Sequence, residues 1–172
     1  MSTSDRSGMP ALRWLLLSVL VVVLDQWSKS LASAALTMHQ SLPLFDGLQW
    51  TLAHNYGVAF SIFNDGEGWQ RYGLSAFALT VASMFAWMLT RQPQQDRLSK
   101  LAFALVIGGA IGNALDRLRL GYVVDFIDVY WGQSHWPAFN IADSSICVGA
   151  VTLLIAGWHS GRSRAVTTPV ER

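Results

Sequence analysis

Long apolar runs separated by short polar stretches dominate the hydrophobic pattern of this chain. A transmembrane helix needs about 20 predominantly apolar residues, and four segments meet this length. They lie at roughly 12–32, 69–90, 98–118 and 141–159. We therefore predict an all-α membrane protein with four transmembrane helices, folded as a single integral membrane domain over residues 1–172. The loops at 33–68 and 119–140 would then lie on the same side of the membrane.

These two loops also carry strand patterns. Leu48–Asn55 alternates apolar and more polar residues directly after an Asp-Gly turn, and Val123–Trp131 is rich in β-branched and aromatic residues. We expect both segments to contribute to a small β-sheet outside the membrane. Alternation along the second strand would point Asp125 and Asp128 to different faces, because they are three residues apart. Only one of these two carboxylates can then reach a given pocket.

The positions of Lys and Arg predict the orientation of the spans. Basic residues precede the first span, separate the second from the third and follow the fourth, whereas the connection from Ser30 to Gln70 contains neither Lys nor Arg. Since cytoplasmic loops are enriched in Lys and Arg, both termini are predicted to be cytoplasmic. The loops at 33–68 and 119–140 would then face outward.

Composition supports the membrane assignment and excludes several kinds of site. Charged residues make up 13% of the 172 residues, against about 25% in soluble domains. The net charge of +1 provides no basic surface for nucleic acid. The single cysteine, Cys147, excludes an internal disulfide, and we expect it to be buried and inert. The four histidines are scattered without a zinc-binding spacing, so we predict no metal and no cofactor.

Polar residues within the spans are candidates for function, because ionisable groups there are costly and rare. Asp25 and Lys29 are four residues apart on one helical face, where an ion pair is expected. Asn113 and Arg117 share a face near the outer end of the third span. For Arg117, extension toward the membrane surface is the structural alternative, and the neighbouring Asp116 could simply neutralise it.

Asp143 admits two interpretations. It follows Asn140 by three residues at the start of the fourth span, which resembles a helix-capping box. Alternatively, Asp125 and Asp143 lie at the same depth and form a pair of carboxylates. Two carboxylates that share one proton can activate water, one acting as base and the other as acid. A separation of 18 residues without a local motif leaves both interpretations open at this point.

Five motifs, in order along the chain, together resemble one family. They are DQWSK (25–29), NYGVAFS (55–61), GGAIGNALDR (108–117), GYVVDFIDV (121–129) and FNIAD (139–143). The chain resembles the bacterial lipoprotein signal peptidases, or signal peptidase II, a family of membrane aspartyl peptidases. The resemblance implies that Asp125 and Asp143 are the catalytic dyad. It also implies that the substrate is bound by Asn55, Asn113, Arg117 and Asn140. Asp25 and Lys29 would be supporting polar residues.

The same resemblance implies the substrate and the location. The substrate would be a prolipoprotein with a diacylglyceryl group on the cysteine after its signal peptide, cleaved just before that cysteine. The family further implies inhibition by globomycin and a location in the bacterial inner membrane, in contact with lipid, and we expect a monomer. We hypothesise that Asp143 starts ionised, favoured by the helix N-terminus, and that Asp125 starts protonated. The alternative is a small proton-coupled transporter or channel subunit.

Overall fold

The computed structural model describes residues 11–38, 40–57, 68–93 and 96–166, and the expectations for both tails and for residues 58–67 fall outside them. The described residues form four long helices and one four-stranded sheet. In chain order the elements are α1 (Ala11–Ala35), β1 (Ser41–Phe45), β2 (Leu48–Asn55), α2 (Trp69–Arg91), α3 (Arg97–Leu120), β3 (Val123–Trp131), β4 (Ser134–His135) and α4 (Ile141–Val166). The predicted fold class, four apolar helices with a small sheet, is confirmed.

All four helices are long and apolar enough to cross a membrane. Large apolar side chains such as Leu20, Phe77 and Leu154 point outward from α1, α2 and α4. In water this surface would be unfavourable, but in a bilayer it contacts lipid. Of the 18 most apolar consecutive residues in α3, 67% are buried inside the protein, whereas the corresponding share in the other three helices is 17–28%. Helix α3 is therefore the central helix of the bundle, and it packs against each of the others.

Small residues let α3 approach its neighbours closely. A Cβ atom added at Gly108 would lie 2.7 Å from Cβ of Val21, so only glycine fits against α1 at this point. Ser18 of α1 is buried nearby and donates a hydrogen bond of 2.8 Å to the carbonyl of Ala104. This packing is typical of membrane helices, where small residues allow close contact and hydroxyls bond across the interface.

The sheet is antiparallel, with the strand order β1-β2-β3-β4. The bounds of β2 and β3 are those predicted from the sequence, whereas β1 and β4 were not predicted. In the register of β2 with β3, Asn55 lies opposite Val123 and Ala53 lies opposite Asp125. This pairing brings Asn55, the last residue of β2, to the end of the sheet that carries Asp125.

Two features fix the sheet to the helices. The end of α1 packs against one face of the sheet through a buried apolar cluster, formed by Ala32, Leu36, Leu52, Val124 and Phe126. In addition, Gly121 ends α3 with a φ of 89°, a conformation that favours glycine, and donates its N–H to the carbonyl of Arg117. The chain turns there into β3, so Asp125 follows α3 after only a short connection.

Cys147 differs from the prediction. We expected a buried cysteine within the apolar run, but its side chain is exposed on α4. The apolar run was interpreted as protein interior, whereas much of α4 faces outward toward lipid. A hydrophobic sequence does not distinguish these two surroundings, since lipid is as apolar as a protein core.

Candidate active site

Asp125 lies on β3 at the junction between the sheet and the helices. Its carboxylate is buried, with 2% of the residue exposed. Oδ2 accepts a hydrogen bond of 3.0 Å from the Asn55 amide, and Oδ1 accepts one of 2.6 Å from the Asn140 amide. Two side-chain amides thus hold this carboxylate, one from β2 and the other from the residue directly before α4.

Asp143 lies in the first turn of α4. Its backbone N–H donates to Oδ1 of Asn140 at 2.9 Å, which is the capping contact expected from the sequence. The carboxylate is also engaged elsewhere, since Oδ1 accepts a hydrogen bond of 2.7 Å from the Asn113 amide on α3. Helix capping therefore does not account for all the contacts of Asp143.

Two asparagine amides link the carboxylates. Nδ2 of Asn140 contacts both Asp125 and Oδ1 of Asn113, the latter at 3.3 Å. Asn113 in turn donates to Asp143. A continuous chain of hydrogen bonds therefore runs from Asp125 through Asn140 and Asn113 to Asp143. Residues 18 positions apart in sequence are brought into one buried network, as the pairing hypothesis requires.

The surroundings of Asp125 favour its protonated form. The pKa of Asp125 is raised to about 7, mainly by burial and secondly by the nearby charge of Asp143. Hydrogen bonds from Asn55 and Asn140 and the charge of Lys29 oppose this rise. The effect of Asp143 indicates that the two carboxylates are electrostatically coupled. A carboxyl that holds its proton near neutral pH beside a second carboxylate is suited to general acid catalysis.

A cavity of about 670 Å³ lies beside the pair, between α2, α3 and α4. Asp143, Asn113, Arg117 and Asn55 contribute polar groups to its wall, which is otherwise largely apolar. Asp125 is not among the lining residues, but Asn55, which donates to its carboxylate, is one of them. This lining suits a peptide segment with apolar side chains, whose polar backbone would meet Asp143 in the cavity wall.

Arg117 does not extend to the membrane surface, so the structural alternative for this residue is wrong. It is 7% exposed, and Nη2 donates to the carbonyl of Gly57 at 2.7 Å. Its buried Nε has no hydrogen-bond partner among the described residues. Nη1 also donates to the carbonyl of Asn113, at 3.5 Å, so the chain holds the guanidinium at two nitrogens, and the residue lines the cavity.

The expected ion pair between Asp25 and Lys29 is present, with Nζ at 2.8 Å from Oδ2. Asp116, however, forms its ion pair with Lys29 at 2.9 Å, not with the adjacent Arg117 as the sequence suggested. Gln26 also joins this group and donates to Asp116 at 2.7 Å. Sequence reasoning missed Gln26, although a polar residue next to Asp25 within a span was a usable indication.

Asp128 is separate from this site, as the strand geometry predicted. It accepts a hydrogen bond of 2.6 Å from Gln49 and contacts Nδ1 of His135 at 2.9 Å. Only Asp125 of the two β3 carboxylates therefore reaches the network. Within the described parts of the chain, no three His, Cys, Asp or Glu side chains form a group that could hold a metal ion.

Two carboxylates joined by a buried network at one end of four apolar helices are the arrangement expected of a membrane-embedded aspartyl peptidase. The family model for signal peptidase (SPase) II matches residues 17–159. The chain therefore belongs to the signal peptidase II family. Membership also supports the predicted enzyme type, a peptidase of the signal peptidase II kind, and gives no support to the transporter or channel alternative.

Individual relatives agree with this membership. The chain is 51% identical over 142 residues to the lipoprotein signal peptidase of Acinetobacter baumannii, covering 83% of this chain and 81% of the relative. It is 43% identical over 166 residues to that of Vibrio cholerae serotype O1, covering 94% of both chains. A bacterial membrane enzyme solved by the in meso method at 2.3 Å resolution superposes with a TM-score of 0.78 at 27% identity, covering 93% of this chain and 94% of that one.

Proposed function

We propose that this enzyme removes the signal peptide from diacylglyceryl-modified prolipoproteins by cleaving before the lipidated cysteine, with Asp125 and Asp143 as the catalytic dyad. One observation carries the assignment of the dyad. The two carboxylates belong to a single buried network, and one of them faces a largely apolar cavity between membrane-spanning helices. In a signal peptide, small residues at the cleavage site follow the apolar segment, and such a cavity would accommodate both.

The chemistry follows from the two environments. Asp143, at the N-terminus of α4, starts ionised and removes a proton from a water molecule held between the carboxylates. That water attacks the scissile carbonyl, while Asp125 donates its proton to the carbonyl oxygen. The proton on Asp143 then passes to the leaving nitrogen, Asp125 takes a proton from a hydroxyl of the tetrahedral intermediate, and the C–N bond breaks. The dyad returns to one proton shared between two carboxylates.

The remaining polar residues would bind the substrate backbone. In an apolar setting the carbonyls of an extended peptide need donors, since each unpaired group costs several kcal/mol. Arg117, Asn55 and Asn113 all line the cavity, and the buried Nε of Arg117 has no hydrogen-bond partner among the described residues. Asn140 acts one step further back, holding both Asp125 and the start of α4.

We also propose the location. The sheet and the dyad would lie at the periplasmic face of the bacterial inner membrane, with both termini in the cytoplasm and the whole chain forming one membrane domain. The charge distribution supports this orientation: the connection between α2 and α3, at the opposite end from the sheet, is flanked by Arg91, Arg97 and Lys100. The enzyme would act as a monomer in contact with lipid and would be inhibited by globomycin.

Cleavage of a lipidated prolipoprotein by the purified protein in detergent micelles tests this proposal. We expect wild type to release the signal peptide, seen as a gel shift, and globomycin to block the release. Asp125→Asn and Asp143→Asn should each reduce the rate on the order of 10⁴-fold, the upper range for loss of a general acid or base. Asp128→Asn changes a buried aspartate on the same sheet but outside the network, so it should still cleave.

Three results would contradict the proposal. Near-normal cleavage by either dyad variant would remove that aspartate from the chemistry. Equal cleavage of lipidated and unlipidated substrate would remove the diacylglyceryl requirement. A folded wild type that fails on a correctly lipidated substrate would refute the function itself.

A further inference from the structure

Lys29 is a buried cation whose hydrogen bonds are all used within the protein. The residue is 3% exposed, and Nζ lies 2.8 Å from Oδ2 of Asp25, 2.9 Å from Oδ2 of Asp116 and 3.0 Å from Oδ1 of Asn113. An ammonium group has three N–H donors, and each has an acceptor here. A residue bound in this way on three sides fixes the positions of its partners.

The two carboxylates bound to Lys29 also hold backbone amides. Oδ1 of Asp25 accepts a hydrogen bond of 2.8 Å from the N–H of Ala142, and Oδ2 of Asp116 accepts one of 3.2 Å from the N–H of Val124. Ala142 immediately precedes Asp143 in the chain, and Val124 immediately precedes Asp125. The backbone amide just before each aspartate of the dyad is therefore hydrogen-bonded to a carboxylate that also binds Lys29.

The third hydrogen bond of Lys29 sets the orientation of Asn113. Only the oxygen of a side-chain amide can accept from an ammonium, so Oδ1 of Asn113 must face Lys29. Its nitrogen is consequently turned toward Asp143, to which it donates at 2.7 Å. The Asn140 amide donates to the same oxygen at 3.3 Å, so Lys29 and Asn140 together hold the Asn113 amide in this orientation.

We propose that Lys29 is the positioning residue of the dyad: a single ammonium fixes the separation of Asp125 and Asp143 by holding the amide before each of them. This inference rests on the proposed function, because it concerns the same two aspartates. Lys29 contacts Asn113, Asp25 and Asp116 and acts through them on the dyad, so it is not itself a catalytic residue.

The packing of α3 supports this role independently. A Cβ atom added at Gly112 would lie 2.6 Å from Oδ2 of Asp25, the oxygen that binds Lys29. Glycine at this position leaves room for the carboxylate between α1 and α3. Gly112→Ala would therefore displace Asp25, and with it the start of α4, without changing any charge. Gly157→Ala provides a matched control, because a Cβ atom there would meet nothing within 4 Å.

The charges around Lys29 determine how its loss would affect the pH profile. Asp25 contacts it from α1 and Asp116 from α3, and its charge acts on Asp125 of β3 and Asp143 of α4. Burial is the main cause of the raised pKa of Asp125, and the charge of Lys29 opposes it. Removing the cation should therefore move the basic limb of the activity profile to higher pH, which loss of packing alone would not do.

The experiment compares kcat and KM of wild type, Lys29→Met, Gly112→Ala and Gly157→Ala on a lipidated prolipoprotein. Misplacing catalytic groups by about 1 Å costs on the order of 100-fold in rate, and we expect a fall of this size in kcat for Lys29→Met. KM should change much less than kcat, because Lys29 makes no hydrogen bond to Asn55 or Arg117, which still bind the substrate. Gly112→Ala should also lose kcat, whereas Gly157→Ala should match wild type.

The outcomes separate this inference from the proposed function. Wild type that cleaves, together with a Lys29→Met enzyme of normal kcat, would overturn the positioning role alone. A loss seen only in KM, or an unshifted pH profile, would also overturn it. If Lys29→Met fails to fold, Gly112→Ala decides the question, since equality with Gly157→Ala would refute the inference. Inactive wild type would refute the proposed function and this inference with it.

Discussion

The raised pKa of Asp125 predicts how activity depends on pH. Burial is the largest cause of the rise from 3.8 to about 7, and the charge of Asp143 is the second. The proposed mechanism needs the proton of Asp125 to protonate the scissile carbonyl. In the free enzyme this proton is lost above about pH 7, and kcat/KM reports groups of the free enzyme. We therefore expect kcat/KM to fall about tenfold per pH unit on the basic side.

The same rise has a consequence for stability. Each pKa unit corresponds to about 1.4 kcal/mol, so the rise amounts to about 4 kcal/mol, an upper bound for this buried, coupled group. Because the folded protein holds the proton more tightly than the unfolded chain, this contribution is fully present below about pH 4. It is lost as pH rises to about 7 and changes little beyond. Asp125→Asn carries no such proton, so its melting temperature in detergent should lose this component of the pH dependence.

The assay measures kcat/KM with a lipidated substrate from pH 5 to pH 9. Asn55 donates to the Asp125 carboxylate and so favours its ionised form. Asn55→Ala should therefore move the basic limb to higher pH, besides any loss of rate. Gln49→Ala is the control, because Gln49 lies on the same strand but bonds to Asp128. A profile that stays flat up to pH 9, or a limb that Asn55→Ala leaves in place, would refute the assignment of Asp125 as the acid.

Two further predictions concern α4. Asn140→Ala removes the acceptor for the N–H of Asp143 and should cost about 1 kcal/mol from the lost cap alone, measured as a lower melting temperature; an unchanged value would show that the cap contributes nothing. Cys147 is exposed and lines the cavity one turn after Asp143, so alkylation with a bulky maleimide should block cleavage. Cys147→Ser should remain active and resist the reagent, and full activity after complete labelling would place the substrate elsewhere.

The spans were the most predictable part of this fold. A helix that crosses lipid has to be apolar over its whole length, because every polar group there lacks water. This requirement is visible in the sequence as a long apolar run. The strands β2 and β3 were also predictable, since each carries alternating or β-branched residues over eight or nine positions. β1 and β4 were not. All residues of β1 are exposed, and β4 has only two residues, so neither carries a burial pattern.

The proposed dyad could be derived from the residues only in part. Strand alternation correctly separated Asp125 from Asp128, but no local rule connects Asp125 to Asp143 across 18 residues. The two residues come together only when β3 and α4 pack against α3, and this packing depends on contacts between residues far apart in sequence. The family motifs supplied that connection, and the hydrogen bonds through Asn113 and Asn140 now give it a physical basis.

The contacts of Asp116 show why neighbours in sequence are a poor guide on a helix. Successive residues of an α-helix point about 100° apart, so Asp116 and Arg117 face different elements. Asp116 faces α1 and pairs with Lys29, whereas Arg117 donates to Gly57 beside the cavity. Asn113, one turn earlier, lies between these two directions and contacts both Lys29 and Asp143. One face of α3 therefore joins the ion cluster around Lys29 to the cavity, and Asn113 is the residue through which a change in one would reach the other.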